Sequence, residues 1–347
     1  MNKKLDYLIV GQGLAGTFLA FQLLKEKKQF VVVDQGHESS SSMIAAGIIN
    51  PLVLKRLTIT WRADEFLSYN ASFFDELEQF LGKQYLFKTP IEKLVASNDE
   101  ENFWEHRFHK ADLEKYIDRK LSLPSSDMSL SGAFKIGKVK QTSWLNISKL
   151  LTDFREVLKS RGLLIEKSFD FNAINQDQTY GDISFKRIVF CEGANATKNP
   201  FFKDLPFSLN KGQLITISSE ELVLRSILKK QVFVLPVGGK RFKVGATYSW
   251  RWEDEKPEKE KTETLKKQLS EMLDVPYKIV ENVAGVRPAV KDRRPLIGQH
   301  KQYKNYFIFN GLGSRGCFMA PLLAKELLDH IEHTKPLHKE VEISRFD

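Results

Sequence analysis

Residues 7–34, YLIVGQGLAGTFLAFQLLKEKKQFVVVD, join an apolar run, three closely spaced glycines, an amphipathic stretch and a second apolar run that ends in an acid. This order predicts a strand, a glycine turn, a helix and a parallel strand, the βαβ unit that binds a dinucleotide. Gly11 permits the tight turn, Gly13 lets backbone amides approach a pyrophosphate, and Gly16 lets the helix pack closely on the strand. The phosphates would then lie at the positive end of the helix.

Asp34 ends the second apolar run. A carboxylate at this position can accept hydrogen bonds from both ribose hydroxyls, and it would repel a 2′-phosphate. The sequence therefore disfavours NADP. NAD and FAD sites share the glycine pattern, so the pattern alone leaves the choice between them open.

The chain has 347 residues, of which 42% are hydrophobic and 28% charged, as expected of a soluble globular protein of about two domains. The net charge of +9 permits an anionic partner, although the charges are scattered and a solvated basic surface is the favoured explanation. Cys191 and Cys317 match no metal-ligand spacing, so free thiols and no metal site are expected. No apolar stretch is long enough for a membrane span, and the N-terminal segment does not fit a signal peptide. We expect a cytoplasmic protein without a membrane anchor.

Residues 39–51, SSSSMIAAGIINP, form a segment of small residues with little periodicity. One interpretation is a flexible surface loop. The other is a loop laid closely across a cofactor, because Ala45, Ala46 and Gly47 would let backbone approach a ligand. Ser42 belongs to the same segment.

Apolar periodicity along the rest of the chain predicts both helices and strands. Helices are predicted over 64–80 and 144–161, from the charged run 254–267 to about residue 273, and over 317–333. Strands are predicted over 163–165, 187–191, 214–218, 232–236, 242–248 and 306–309, with short strand-like runs over 85–137. The fold class predicted is α/β: a Rossmann-like domain and a second, antiparallel-sheet domain, discontinuous in sequence.

Residues 311–316, GLGSRG, resemble the N-terminal fingerprint in their arrangement. A predicted strand precedes them, their glycines offer free backbone amides, and the N-terminus of a predicted helix follows. Two helix N-termini imply two anionic centres. One suits a pyrophosphate, and the other would suit a reduced flavin, which carries negative charge near N1 and the C2 carbonyl. An ordinary glycine turn that leads into a surface helix is the alternative.

Together with the fingerprint, the segments AAGIINP (45–51), VFVLPVGGKRFKVGATYSW (232–250), AGVRPAVKDRRPLIG (284–298) and NGLGSRGCFMAP (310–321) resemble the FAD-dependent D-amino-acid oxidase superfamily. Glycine oxidase and sarcosine oxidase are the nearest look-alikes. The resemblance implies an FAD-binding domain over 1–84, 138–200 and 284–347, and a substrate domain over 85–137 and 201–283. Many members carry Glu at the position of Asp34, and the shorter carboxylate can still bond the ribose.

The resemblance also implies roles for individual residues. Arg287 in GVRP would clamp a substrate carboxylate, which its guanidinium can bind bidentately, unless it is a surface arginine. Phe233 and Tyr248 would line the substrate pocket, or they are core aromatics. Lys243 would lie over the flavin as a catalytic cation, or it faces water on an alternating strand. Cys317 lies outside the attachment motif of relatives that bind flavin covalently, so FAD should be non-covalent.

The candidate cofactor-binding residues come from both ends of the chain and from one strand end between them. They are Gly11, Gly13, Leu14, Ala15, Gly16, Asp34, Gln35, Ser42, Ala45, Ala46, Gly47, Gly193, Gly311, Gly313, Ser314, Arg315 and Gly316.

The resemblance implies an oxidoreductase that oxidises the C–N bond (CH–NH or CH–NH2) of an amino acid or N-substituted glycine. Hydride would pass to flavin N5, and water would hydrolyse the resulting imine. An alternative rests on residues 312–331, GATYSW and PLHKEVEISRF (336–346), which resemble the FAD domain of the bifunctional enzyme that removes a carboxymethyl group from modified uridine in tRNA. The basic charge would then help to dock a phosphate backbone. A second alternative is a non-catalytic flavin-binding protein. The oligomeric state is left open.

Overall fold

The computed structural model describes residues 4–36, 40–109, 113–125, 128–132, 134–175 and 177–347. Ser39, the first residue of the segment of small residues, lies outside the described residues. In the described ranges the α-helices are α1 (Leu14–Lys25), α2 (Ser41–Ile44), α3 (Ala63–Leu81), α4 (Asn98–Phe108), α5 (Ile147–Ser160), α6 (Lys259–Ser270) and α7 (Gly316–His333). Short 3-10 helices cover Phe171–Ala173, Gly193–Lys198 and Ile343–Phe346.

The strands vary from two to ten residues in length. In chain order they are β1 (Leu5–Val10), β2 (Phe30–Val33), β3 (Ile48–Ile49), β4 (Leu52–Val53), β5 (Thr58–Ile59), β6 (Leu86–Lys88), β7 (Ile91–Val95), β8 (Lys135–Val139), β9 (Ser143–Leu145), β10 (Leu164–Ile165), β11 (Ile174–Asn175), β12 (Thr179–Tyr180), β13 (Ile183–Phe190), β14 (Asn210–Ser218), β15 (Ile227–Lys229), β16 (Phe233–Gly238), β17 (Arg241–Gly245), β18 (Lys278–Arg287), β19 (Leu296–Gln299) and β20 (Tyr306–Asn310).

The first sheet has the order β10-β2-β1-β13-β20-β19, and its first five strands are parallel. The β11–β12 ribbon continues from β13. The central strands are buried along most of their length, which explains why β1, β2 and β20 are nearly continuous apolar runs. Because parallel strands end at one edge, the residues that follow β1, β2, β13 and β20 meet there: Gly11, Asp34, Cys191 and Gly311.

The second sheet has the order β18-β14-β17-β16-β15-β7-β8, and all its neighbouring pairs are antiparallel except β15 and β7. Side chains alternate between its two faces. One face packs with α6 in a cluster that includes Leu94, Val234 and Leu265. The other face, which carries Ile91 and Leu235, packs with the core of the first sheet. The second sheet therefore bounds the space beside the carboxyl edge of the first.

The βαβ start predicted from the fingerprint is confirmed, because β1 and β2 are parallel neighbours joined by α1. The predicted α/β fold with a second, mainly antiparallel sheet is confirmed as well. The helix predicted over 144–161 begins only at Ile147, because Trp144 lies in β9 and pairs with β3 and β6. Similarly, the strand predicted over 242–248 ends at Gly245, so Tyr248 lies in the loop that follows.

The prediction of only short strands over 85–137 was wrong at α4. Ser97 Oγ accepts a hydrogen bond from the Glu100 amide, 3.3 Å away, and the Glu100 carboxylate accepts one from the Ala96 amide at 2.8 Å. This cap starts a helix that buries little of its surface, since Trp104 is the single buried residue of α4. The Ser-x-x-Glu spacing was the signal that could have revealed α4.

The predicted domain boundaries fall inside two strands of the second sheet. Strand β8 runs across residue 138, and β18 runs across residue 284. The division of the chain into two domains stays a prediction. None of the described helices is both long enough and apolar enough to cross a bilayer.

Candidate functional site

A cavity of about 860 Å³ runs along the carboxyl edge of the first sheet and on beside the second sheet. Sites for small molecules and cofactors typically measure about 300–1,000 Å³. The loops after β1, β2, β13 and β20 line one part of this cavity, together with α2 and residues 45–47. Side chains from β14, β15, β16 and β18 line the other part.

The phosphate end of the cavity is built from the N-terminal glycines. Gly11 has a φ of +98°, and a Cβ on it would lie 2.6 Å from the Cys191 carbonyl oxygen. A Cβ on Gly16 would lie 1.9 Å from the Gly11 carbonyl oxygen, so only glycine lets α1 approach the turn. Gly13, Leu14 and the residue after it line the cavity at the N-terminus of α1, where an anion is favoured. Gly16 lies behind this lining, as expected of a packing glycine.

Asp34 lies at the adjacent end of the cavity, where three groups of the described residues donate hydrogen bonds to its carboxylate. The amides of Gln12 and Gly36 and the Arg155 Nη1 group each lie 2.7 Å away. Arg155 also donates to the Gln12 side chain at 2.8 Å and to Glu166 at 3.0 Å. A carboxylate accepts about four hydrogen bonds, so Asp34 retains capacity for about one more. Arg155 supplies further donors beside it.

Arg155 was missed by the sequence analysis. It lies on α5, far from the fingerprint in sequence, and only the packing of α5 beside the first sheet brings it to Asp34. The sequence carried no signal for this contact.

The segment of small residues lies along the cavity. Ser42, Ala45, Ala46 and Gly47 all contribute to its wall. Ser42 Oγ accepts a hydrogen bond from the Leu14 amide at 3.2 Å. Gly47 has a φ of +78°, and a Cβ there would lie 2.0 Å from a carbonyl oxygen of β9. Close packing therefore holds this segment against β9, and its contact with a cofactor stays a prediction.

The C-terminal glycine segment reaches the cavity beside the first turn of α1, since a Cβ on Gly316 would lie 3.2 Å from Leu14 Cδ1. Gly313, Ser314, Arg315 and Gly316 line the cavity, and α7 begins at Gly316. Gly311 lies outside the lining, because a Cβ on it would meet core side chains 2.7 Å away. Arg315 donates hydrogen bonds to two backbone carbonyl oxygens of residues 50 and 52, at 2.8 and 3.2 Å. This side chain fastens the start of α7 to the segment that follows the small residues.

Arg287 projects into the cavity from the end of β18. Its Nη1 donates to Asn210 Oδ1 at 2.8 Å, and both terminal nitrogens lie 3.4 Å from the Thr247 carbonyl oxygen. The Tyr248 ring lies 4.4 Å from the guanidinium carbon. Gly212 makes room for this group, since a Cβ there would lie 1.9 Å from Nη2. Burial lowers the pKa of Arg287, yet the guanidinium forms no ion pair within the described part of the chain.

The three other candidate substrate-site residues lie in different places. Phe233 lines the cavity from β16, and Tyr248 lines it at the surface, with 58% of its area exposed. Lys243 does not line this cavity. It lies in a separate hollow of about 520 Å³ with Thr216 and Glu281, three residues before Ala246, which follows β17 and lines the cavity. Alternation along β17 places the Lys243 side chain on the face that is turned towards the cavity. The residue lies too far along the strand to line the cavity.

Glu192 is a second residue that the sequence analysis missed. It follows β13 and lines the cavity beside Gly11, with its carboxylate accepting a hydrogen bond from Asn199 at 2.6 Å. Burial raises its pKa to about 7. A carboxyl that follows a parallel strand at the edge where ligands bind was the available signal.

Gln35 and Gly193 complete the candidate residues that line the cavity. Both cysteines are buried, and burial raises the pKa of the Cys317 thiol to about 12. The Cys317 Sγ lies 3.7 Å from the Ile48 carbonyl oxygen. Across the described ranges, no three His, Cys, Asp or Glu side chains come together as metal ligands.

These groups fit FAD, the cofactor that the sequence implies. The glycine turn and the N-terminus of α1 suit a pyrophosphate, and Asp34 with Arg155 suits the hydroxyls of a ribose. The cavity continues from this end to the N-terminus of α7 and to Arg287, which leaves length for a flavin.

Comparison with known proteins agrees with this fit. The family model described as DAO, FAD dependent oxidoreductase, matches residues 6–330. Glycine oxidase from Pseudomonas putida is 23% identical, over 95% of both chains. The bifunctional protein MnmC of Idiomarina loihiensis, named for tRNA 5-methylaminomethyl-2-thiouridine biosynthesis, is 21% identical over 98% of this chain and 59% of its own length. The crystal structure of glycine oxidase from Geobacillus kaustophilus superposes with a TM-score of 0.79, at 20% identity and 96% coverage of both chains. The chain belongs to the DAO family of FAD-dependent oxidoreductases.

Proposed function

We propose that this enzyme oxidises the C–N bond of an amino acid or an N-substituted glycine, and that Arg287 holds the carboxylate of that substrate. One observation carries the proposal: a half-buried guanidinium points into the cofactor cavity without a carboxylate partner in the described residues. An arginine stays charged in proteins, and burying it unpaired is costly. A substrate carboxylate would supply the missing charge.

The chain positions Arg287 for a bidentate contact. Asn210 and the Thr247 carbonyl oxygen hold the guanidinium from one side, and Tyr248 lies against its face. A fork fixed in this way meets both oxygens of one carboxylate. Phe233 provides an apolar wall, which excludes water from the remainder of the substrate.

We propose that the fingerprint residues and the first turn of α7 hold FAD without a covalent bond. When bound, FAD supplies the acceptor for the two electrons and the hydride that leave the substrate. The raised pKa of Cys317 keeps its thiol protonated and therefore a poor nucleophile, which supports non-covalent binding. The role of Lys243 as a catalytic cation stays a prediction. Its position in the separate hollow beside Thr216 does not favour that role. A cytoplasmic location also stays a prediction.

A second candidate function is the removal of a carboxymethyl group from modified uridine in tRNA. Matches of 21–23% identity to bifunctional MnmC proteins favour it, although the chain spans only 53–59% of their length. The net charge of +9 suits a phosphate backbone. The same Arg287 contact would bind the N-carboxymethyl group of that nucleoside. No specific observation favours the non-catalytic interpretation.

The test is reduction of the bound flavin without oxygen. Glycine, sarcosine, proline, D-alanine and tRNA that carries carboxymethylaminomethyl-uridine are added separately, and the loss of flavin absorbance is followed. Bleaching by a small amine supports the first function, and bleaching by the tRNA alone supports the second. If no amine and no tRNA bleached the flavin, both proposals would be wrong. Salt separates the two functions further, because tRNA binding should weaken steeply as salt rises.

Arg287→Lys tests the clamp. We expect kcat/KM for amines that bear a carboxylate to fall about 10–100-fold, the effect of losing a charge-assisted hydrogen bond. Arg293→Lys is the matched control, because Arg293 is exposed in the same segment and lines no cavity wall. Unchanged kinetics in Arg287→Lys would remove Arg287 from the site.

A further inference from the structure

We infer that Lys229, supported by Lys93, binds a second anionic group of the substrate, carried on the amine substituent that points away from Arg287. The inference rests on the proposed function, because it places the other end of the same substrate in the same cavity. It adds a substrate class: amines with a carboxylate at one end and a second carboxylate or a phosphate at the other.

The two lysines lie side by side on the face of the second sheet that bounds the cavity. Strands β7 and β15 are parallel, and Lys229 stands opposite Lys93 in their register. Ile227 and Ile91, two residues earlier on the same strands, line the cavity, and Lys229 lines it too. Residues two apart on a strand share a face. Both lysines therefore face the cavity side, and both are half-buried.

Neither lysine has a carboxylate partner. Across the described ranges, no ion pair includes either of them, and the Lys229 ammonium donates to the Gln231 carbonyl oxygen at 2.6 Å. Glu92 accepts a hydrogen bond from Ser226, and Glu100 accepts one from a backbone amide while its charge acts on Lys93 without forming an ion pair. Burial and the charge of Lys93 lower the pKa of Lys229 to about 8. An anion between the lysines would relieve both effects.

A trough joins the lysines to Arg287. We use this name for Phe233, Gly245, Leu214 and Gly212, which follow one another across β16, β17 and β14. Phe233 stands opposite both Lys229 and Gly245, and Gly245 stands opposite Leu214. The Leu214 side chain fills the space above Gly245, and the Arg287 guanidinium fills the space above Gly212. Phe233 and Leu214, which both line the cavity, therefore form an apolar floor. The cavity thus has a cation at each end and an apolar middle.

The length of the trough limits the substrate. Strands β15 and β18 are four strand spacings apart, or roughly 19 Å across the sheet. The long side chains of Lys229 and Arg287 bridge part of this distance. The second anionic group must therefore lie several bonds beyond the amine nitrogen. A simple N-methyl or N-carboxymethyl group is too short to reach Lys229.

The test compares two substrate series on the FAD-bound enzyme. One series is N-(ω-carboxyalkyl)glycines with two to five methylene groups, and the other is N-alkylglycines of equal length without the second charge. The dependence of the anaerobic bleaching rate on substrate concentration gives a flavin reduction rate constant and an apparent Kd for each, with sarcosine as the reference substrate. We expect the longer charged substrates to have an apparent Kd roughly tenfold or more below that of their neutral counterparts. In Lys229→Met this preference should disappear, and in Lys229→Arg it should largely return.

Lys230→Met is the matched control, because Lys230 is the next lysine along the chain and its ammonium lies over the Phe134 ring instead of in the cavity. It should keep the full preference. The inference is wrong if the wild type shows no charge preference, or if Lys230→Met removes it as completely as Lys229→Met. These results differ from failure of the proposed function, in which sarcosine and both series would leave the flavin oxidised.

A third arm identifies the source of the anion. Carboxymethylaminomethyl-uridine is compared with its 5′-phosphate on the wild type and on Lys229→Met. A phosphate preference that requires Lys229 supports the inference with a nucleotide substrate. A preference confined to the ω-carboxyl series supports it with a small dicarboxylic amine. Absence of both preferences overturns it.

Discussion

At the scale of single residues, the guanidinium of Arg287 occupies the space that a side chain at residue 212 would fill. A Cβ on Gly212 would lie 1.9–2.4 Å from three guanidinium atoms. We expect Gly212→Ala to displace Arg287 and to raise KM for amines with a carboxylate at least tenfold, while FAD still binds. Steady-state kinetics and flavin fluorescence measure the two effects.

Gly132→Ala provides the comparison for this substitution, because its nearest neighbour, the Phe134 ring, lies at an ordinary contact distance of 3.4 Å. A Gly212→Ala enzyme with the KM of the wild type would show that the guanidinium does not need this space to bind the substrate.

Glu192 should make stability depend on pH. Its pKa is about 7 in the folded protein against a usual 4.5, so folding favours the protonated form. The contribution of Glu192 to the free energy of unfolding is then greatest below about pH 4.5 and falls as pH rises towards 7, by at most about 3 kcal/mol. We expect Glu192→Gln to remove most of this loss. Urea unfolding of both proteins at pH 5 and pH 8 measures it, and equal losses in the two proteins would contradict the assignment.

Individual site residues differ in how far the sequence could predict them. Arg287 could be predicted as a site residue because the resemblance of its GVRP motif to the family implies a role for it. That prediction did not depend on contacts with distant segments of the chain. The distance of Lys243 from the cavity could not be foreseen, since alternation gives the face of a strand but not the point where a cavity ends. Arg155 and Lys229 depend on the packing of separate elements, which no local pattern records.

At the scale of elements, α1 packs on the turn after β1 through one glycine. A Cβ on Gly16 would overlap the Gly11 carbonyl oxygen at 1.9 Å, and backbone cannot move aside as a side chain can. We expect Gly16→Ala to lower the free energy of unfolding by about 1–3 kcal/mol and to weaken FAD binding strongly. Urea unfolding and flavin fluorescence test both parts. Wild-type affinity for FAD in Gly16→Ala would refute the role of this contact.

Elements with strong periodicity could be predicted, and those held by tertiary pairing could not. The apolar runs and glycines of the fingerprint were sufficient to predict β1, α1 and β2, because the local sequence pattern and the final structure agree in this part of the chain. Strand β9 was included in the helix that follows it, since only its pairing with β3 and β6 marks it as a strand. Helix α4 was missed because a mainly charged helix has little apolar periodicity.

At the scale of the whole molecule, FAD should stabilise the fold as well as serve the reaction. The cavity takes its walls from both sheets and from residues 10–15, 33–36, 40–48 and 312–317. A ligand that binds only the folded state at 100 times its Kd adds about 2.7 kcal/mol to the free energy of unfolding. We expect removal of FAD to lower the thermal midpoint by several degrees and addition of FAD to restore it. A midpoint that does not respond to FAD would show that the folded chain does not depend on this ligand.

The placement of the first turn of α7 beside the first turn of α1 has a consequence for biosynthesis. Ribosomes deliver the strands and glycines of residues 7–34 early, but Gly313–Gly316 emerge only after some 300 further residues have been made. A growing chain can therefore form β1, α1 and β2 long before it can enclose a flavin. Enclosure of the cofactor thus follows synthesis of this last cavity wall, and a chain that ends before Gly313 would lack that wall.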